Sequence, residues 1–198
     1  CQGHCPVQHV AAEFPQFCEA EAEAFSGLLG VHVQRLATLA GGLRLTAGAS
    51  VDANSFEGDA TSILFNAGAT APELRNEGRI SAVSQSEGTK SAVAVLIDSG
   101  ASVSVLRNTE EITAQLSGEK GAATAILDRS GTLGRVENSG VIRGLIVPTD
   151  DSFDTDDADT DAGNEAITAV ATAMDLRANT TGVTLIQTGV SDGDDGGD

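Results

Sequence analysis

The feature that most constrains the fold is a repeat of about 31 residues along the middle of the chain. Three segments align from end to end, at 60–82, 92–114 and 122–144. In each segment an apolar run enters a glycine turn, a second run ends at an asparagine, and a third begins at an isoleucine. The recurring residues are Gly68, Gly100 and Gly131, Asn76, Asn108 and Asn138, and Ile80, Ile112 and Ile142. One such unit cannot bury its apolar face alone, so successive units must stack.

Three short strands per repeat, separated by Gly and Asn turns, predict an all-β fold, a parallel β-helix or β-solenoid with coils of roughly 31 residues. Asparagine tolerates left-handed backbone angles and can form hydrogen bonds along a stack. We therefore expect Asn76, Asn108 and Asn138 to form a structural turn ladder, alongside the three glycines. A β-sandwich also has regular turns, but it has no reason to repeat residue identities at this period.

Two weaker copies flank the regular repeats. The segment 43–59 precedes them, and the segment 166–187 follows, where Leu176, Arg177 and Asn179 align with the Leu, Arg and Asn of the other copies. The solenoid is therefore predicted to span residues 31–190.

Composition excludes several classes of protein. The chain of 198 residues has 11 Lys and Arg against 29 Asp and Glu, a formal charge of −18, which would repel a nucleic-acid backbone. It has six Phe and no Trp or Tyr, which argues against aromatic sugar platforms and base-stacking surfaces. No apolar run is long enough to cross a bilayer, so we expect a soluble or lipid-anchored chain.

The N-terminal segment, residues 1–30, differs in character from the repeats. It holds the only cysteines, Cys1, Cys5 and Cys18. Cys1 resembles the lipidated first residue of mature bacterial lipoproteins, and Cys5 and Cys18 could then form a disulfide. Residues 16–29 predict a short amphipathic helix that acts as a cap or an anchor. A zinc site made by the cysteines with His4 and His9 is a further possibility, although the spacing matches no familiar zinc motif.

Two acidic segments interrupt or follow the solenoid. Residues 149–163 contain seven Asp and predict a solvated excursion loop. Asp157, Asp159 and Asp161 are weak calcium candidates, because the glycine and the twelfth residue do not fit an EF-hand; otherwise we expect no metal. Residues 191–198 contain only Gly and Asp after the serine and predict a flexible tail.

The repeats carry a family resemblance. The segments LRNEGRISA, LRNTEEITA and VENSGVIRG, each introduced by a segment such as AILDRSGTL, resemble the passenger region of bacterial autotransporters. The resemblance covers roughly residues 43–187 and implies a right-handed parallel β-helix at the outer-membrane surface or outside the cell. It departs from the family in two respects, because the translocating barrel is missing and the N-terminal segment is not part of the coil pattern.

The sequence offers little catalytic chemistry. There is no nucleophile elbow, zinc-protease motif or phosphate-binding loop. A polysaccharide-acting enzyme on this fold would need Asp pairs or a cluster of Arg and Lys on one face, and Asp98 and Asp128 are predicted to stack on successive coils. We expect a secreted, structural or adhesive solenoid that is not an enzyme, needs no cofactor, and contacts protein partners or further copies through its ends. The alternatives are a lipid-anchored accessory subunit held by Cys1 and, third, the polysaccharide-acting enzyme.

Overall fold

The structure is a computed structural model that describes residues 37–38, 42–86, 88–148 and 167–188. All the regular secondary structure in these ranges is β-strand. The strands of the first half are β1 (Ala37–Thr38), β2 (Gly42–Leu45), β3 (Ser50–Phe56), β4 (Ala60–Phe65), β5 (Thr70–Asn76), β6 (Arg79–Gln85) and β7 (Lys90–Ile97). Those of the second half are β8 (Ser102–Asn108), β9 (Glu111–Ser117), β10 (Gly121–Asp128), β11 (Arg135–Asn138), β12 (Val141–Val147), β13 (Val170–Asp175) and β14 (Thr184–Gln187).

The strands form three parallel sheets that the chain visits in turn. Sheet A contains β1, β2, β5, β8, β11 and β14, sheet B contains β3, β6, β9 and β12, and sheet C contains β4, β7, β10 and β13. Only β1 pairs antiparallel, with β2. Three coils are complete, each running through sheets C, A and B, and partial coils flank them. The predicted all-β parallel β-helix is therefore confirmed.

Strand register fixes the coil length. In sheet C, β7 follows β4 by 32 residues and β10 follows β7 by 31. The next offset in that sheet, from Ala122 to Val170, is 48. The extra residues lie between β12 and β13, where the sequence predicts the acidic excursion. The excursion itself, the tail and the predicted N-terminal helix lie outside the described residues.

Register also corrects the predicted alignment of the last coil. Leu176, Arg177 and Asn179 follow β13 in a turn and are not the counterparts of the repeat Leu, Arg and Asn. The residue in register with Asn138 is Gln187. The excursion before β13 shifts the whole coil, and matching Leu, Arg and Asn by residue identity finds the turn after β13 instead of β14.

The interior is narrow. Sheet A supplies a stack of large side chains, with Leu74, Leu106 and Val136 fully buried. Between sheets B and C the space is smaller, and a methyl group on Gly144 would lie 2.5 Å from the Ala123 carbonyl oxygen and 2.7 Å from the Thr172 nitrogen. Such contacts are closer than carbon atoms tolerate. Small residues therefore fill this part of the core, which explains why alanine is abundant and phenylalanine rare.

Candidate functional site

The most continuous polar feature of the described chain is a column of buried amides at the corner between sheets A and B. Asn76, Asn108 and Asn138 are the last residues of β5, β8 and β11 and lie in register. Asn76 Nδ2 donates to Asn108 Oδ1 at 2.7 Å, and Asn108 Nδ2 donates to Asn138 Oδ1 at 2.7 Å. All three side chains are buried. The structure thus brings together the three residues that the repeat singled out.

The column extends one coil further than the sequence predicts. Asn138 Nδ2 donates to Gln187 Oε1 at 2.7 Å. A glutamine can replace asparagine here because it carries the same amide group. Only the strand register identifies it, since Gln187 has no matching residue at the usual repeat spacing.

Each amide also closes the turn that follows it. Asn108 Nδ2 donates to the carbonyl oxygen of Glu110 at 2.9 Å, and Asn138 Nδ2 donates to that of Gly140 at 3.0 Å. Asn76 Oδ1 accepts from the Gly78 nitrogen at 3.2 Å. A buried amide without partners would be costly, and these contacts satisfy the side chains within the coil as well as between coils.

The glycine turns lie between sheets C and A. Gly68, Gly100 and Gly131 have φ values of 85°, 82° and 69°, in the left-handed region that glycine adopts without strain. The Gly68 nitrogen donates to the Gly100 carbonyl oxygen at 2.9 Å, so the first two turns are directly linked.

The predicted stacking of Asp98 on Asp128 is wrong. Asp128 is in register with Ile97, and Asp98 lies one position further along, where Arg129 Nη1 is 4.0 Å from its carboxylate. The two residues are 30 positions apart, whereas sheet C advances by 31 at this point. They therefore do not stack in register on successive coils.

Asp128 instead organises its own turn. Its side chain is 2% exposed, and its Oδ1 accepts from the Ser130 nitrogen at 2.9 Å, the Ser130 hydroxyl at 2.6 Å and the Gly131 nitrogen at 3.1 Å. Its Oδ2 accepts from the Leu133 nitrogen at 3.2 Å. A carboxylate that accepts four hydrogen bonds is held in place by its turn.

The outer face of sheet A carries a network of arginines and glutamates. Arg44, Arg75 and Arg107 are in register on successive coils. Glu77 binds both Arg44 and Arg75, at 2.7 Å and 2.6 Å. Arg107 pairs with Glu73 at 2.9 Å and also contacts Glu137. The carboxylates neutralise guanidinium groups that stacking would otherwise place next to each other.

Ion pairing lowers the pKa of two glutamates on this face. The hydrogen bond from Arg44, followed by that from Arg75, lowers the pKa of Glu77 despite partial desolvation. Arg135 and then Arg107 lower the pKa of Glu137 in the same way. Both glutamates therefore stay ionised at neutral pH, which suits a structural role and not that of a proton donor.

A cleft of about 860 Å³ lies on the outer face of sheet C. Val93, Thr124 and Thr172 line it, and Asp175 and Arg177 lie among its charged residues. Arg177 Nη2 binds Asp175 Oδ2 at 2.6 Å, and this pairing lowers the pKa of Asp175 and raises that of Arg177. Asp175 and Arg177 of the cleft are thus paired with each other.

Other predicted sites fall outside the described chain. Cys1, Cys5 and Cys18, and the calcium candidates Asp157, Asp159 and Asp161, lie among residues that the structure does not describe. Within the described ranges, no cluster of three metal-ligating side chains occurs, and no helix is long and apolar enough to cross a membrane.

Comparison with known proteins identifies no relative. No protein-family model matches the chain, and no curated protein or solved structure shows significant similarity to it. The solenoid architecture rests on the structure, and the resemblance to autotransporter passengers rests on the repeat residues alone.

Proposed function

We propose that this chain is a non-enzymatic, structural or adhesive β-solenoid that is secreted and acts at a bacterial cell surface. The observation that carries the proposal is the amide column, which joins four successive coils through Asn76, Asn108, Asn138 and Gln187. Its buried polar groups serve coil-to-coil cohesion. Such a molecule is suited to serve as a rigid scaffold whose outer surface contacts other molecules.

The distribution of charge supports the same proposal. Asp128 is fixed by four hydrogen bonds in its turn, and Glu77 and Glu137 are neutralised by arginines. These groups stabilise the solenoid. The resemblance of the repeats to autotransporter passengers supports a location outside the cell.

Two measurements on the source bacterium test this function. Immunogold labelling of intact cells, with antibody raised against the purified chain, is expected to mark the cell surface. Beads coated with the chain are expected to retain more cells than beads coated with albumin. Label confined to the cell interior, together with equal retention by both kinds of bead, would contradict the proposal.

The enzyme alternative is tested separately. Incubation with a panel of acidic and neutral polysaccharides is expected to release no new reducing ends or unsaturated products. If turnover occurs, Asp128→Asn and an equivalent change at Asp175 locate it, because Asp175 lies in the sheet C cleft and Asp128 at its margin. Turnover that either change abolishes would replace the structural proposal.

A further inference from the structure

The floor of the sheet C cleft is built by outward-facing side chains of neighbouring coils. Val93, Thr124 and Thr172 lie in register on β7, β10 and β13 and form one row of this floor. Thr124 faces outward, because its neighbours Ala123 and Ala125 are fully buried in the interior and side chains alternate along a strand. The three parallel strands thus give the cleft a regular floor.

This floor is shielded from bulk water although it lies on the outer face of the sheet. Val93 is 7% exposed and Thr124 is 8% exposed. Thr61 precedes them in the same row, outside the described lining of the cleft, and it is exposed. A deep floor beneath an open volume of about 860 Å³ is typical of a small-molecule site.

The Thr124 hydroxyl has no hydrogen-bond partner among the described residues. Its oxygen still reaches the cleft, because Glu73 Oε1 is the only described side-chain atom that is both sealed from solvent and without a hydrogen bond. A polar group at this depth is usually paired, since leaving it without a partner is costly. The hydroxyls of Thr172 and Ser91 line the same cleft, also without a partner in the described chain. All three hydroxyls can therefore donate to a ligand and accept from it.

The charged residues of the cleft favour an uncharged ligand. Asp128 accepts four hydrogen bonds within its own turn, and Arg177 holds Asp175, so a cation would find both carboxylates already paired. With Arg129, the described lining contains two Asp and two Arg and has no net charge. The chain as a whole carries −18, which would repel a polyanion.

An extended, uncharged oligosaccharide matches these features. Each sugar hydroxyl both donates and accepts, as the Ser and Thr hydroxyls of the cleft do. The C–H faces of β-1,4-linked rings are apolar and suit the aliphatic side chains of Val93 and Leu127, which take the place of a Trp or Tyr platform in a chain that has neither. A peptide fits less well, because the face of a sheet, unlike its edge, offers no free backbone N–H and C=O groups.

We propose that the cleft on sheet C binds an uncharged, β-1,4-linked oligosaccharide. Its ring faces lie on Val93 and Leu127, and its hydroxyls form hydrogen bonds with Thr124 and Thr172. This inference rests on the proposed function and deepens it, since it gives the adhesive solenoid a ligand of defined chemistry.

The test titrates the full chain with three probes by isothermal titration calorimetry. The first probe is cellopentaose, the second is the same pentamer with each C6 oxidised to a carboxylate, and the third is an uncharged Gly-Ser pentapeptide with blocked ends. At about 20 mM salt, cellopentaose is expected to bind at least about tenfold more tightly than the oxidised pentamer. The peptide is expected to give no measurable binding.

Three variants locate the site. Thr124→Val removes the hydroxyl but keeps the shape, and valine already occupies this row in the preceding coil at Val93. It is expected to weaken cellopentaose binding at least about threefold, and the double variant with Thr172→Val at least about tenfold. Thr61→Val is the matched control, the same change in the same row outside the described lining, and it is expected to leave binding unchanged. Unfolding temperatures no lower than that of the parent show that the fold is retained.

Three outcomes would overturn the inference. These are no cellopentaose binding up to about 10 mM, binding of the oxidised pentamer or the peptide as tight as that of cellopentaose, and a double variant that keeps the affinity of the parent. Retention of cells by coated beads without binding of cellopentaose would remove this inference alone. Cellopentaose binding that depends on Thr124, in a chain absent from the cell surface, would remove the proposed function alone.

Discussion

At the scale of single residues, Asn108 forms four side-chain hydrogen bonds in the amide column. Its Nδ2 donates to Asn138 Oδ1 and to the carbonyl oxygens of Glu110 and Val141, and its Oδ1 accepts from Asn76. Sheet A contains a natural contrast, because Leu45 occupies the position in register with Asn76 in the first coil. The column therefore begins at Asn76, where the side chain has its first amide neighbour.

Asn108→Ala is expected to destabilise the fold by about 3 kcal/mol, because Asn76 Nδ2 and Asn138 Oδ1, both buried, would each lose one of their two hydrogen-bond partners. Urea unfolding followed by circular dichroism measures the change. Asn66→Ala is the matched control, since Asn66 lies exposed in a turn and should change stability by less than about 0.5 kcal/mol. A similar effect of the two substitutions would show that the amide column does not hold the coils together.

Glu77 gives a prediction for the pH dependence of stability. Its pKa is lowered in the folded state from an ordinary value of 4.5, chiefly by the hydrogen bond from Arg44. A lowered folded pKa gives stability that is present above the unfolded pKa and is lost as pH falls through the folded pKa. The parent is therefore expected to lose stability below pH 4.5, and Glu77→Gln is expected to lose less over the same range.

Urea midpoints at several pH values between neutrality and the acid limit measure this difference. Glu110→Gln alters an exposed carboxylate of the next coil and is expected to retain the acid loss of the parent. If Glu77→Gln and the parent lose stability in parallel, the pairing of Glu77 with Arg44 and Arg75 makes no contribution to folding.

At the scale of elements, small residues lie where sheet B faces sheet C. Ala82 and Ala114 in sheet B precede Gly144 in register, and a methyl group on Gly144 would lie 2.6 Å from the Thr172 carbonyl oxygen. Close packing of this kind makes the core sensitive to a single added methyl group. The coil spacing therefore depends on small side chains as well as on hydrogen bonds.

Gly144→Ala is expected to destabilise the fold by about 2 kcal/mol, because its methyl group would overlap the backbone of Ala123 and Thr172. Gly134→Ala is the control, since the nearest atom to its methyl group would be the Ser104 oxygen at 3.9 Å. Thermal unfolding of both variants measures the difference. Equal melting temperatures would mean that sheets B and C have space that the structure does not show.

The repeat was sufficient to predict the elements but not their register. The asparagines and glycines mark turns, and turns recur wherever strands stack, so the solenoid and its asparagine positions could be predicted. Asp98 and Asp128 could not be placed, because coil length before the excursion varies between 29 and 32 residues. One residue of error moves a side chain to the other face of the sheet. The position of Gln187 in the amide column could not be predicted, because the connection before β13 is longer than in the other coils.

At the scale of the whole molecule, the described chain is one stack of coils. The interior stack from Leu43 to Leu185 passes through every coil, and burial is lost only at its last member. In a solenoid each coil contacts only its neighbours, so an end lacks the stabilisation that an interior coil receives. We therefore expect amide hydrogen exchange to be slowest in β7–β9 and fastest in β13 and β14.

The central claim is that neighbouring coils are parallel and in register, and disulfide cross-linking tests it most directly. Thr113 and Arg143 lie in register on adjacent strands of sheet B, so their side chains are on the same face. The test replaces both with cysteine in a chain whose native Cys1, Cys5 and Cys18 are changed to serine. Neighbouring strands lie about 4.8 Å apart, within disulfide range. Rapid cross-linking of this pair is expected, with little cross-linking of Thr113→Cys to Leu145→Cys, which lies two residues out of register. Cross-linking of the second pair in preference to the first would contradict the parallel, in-register arrangement.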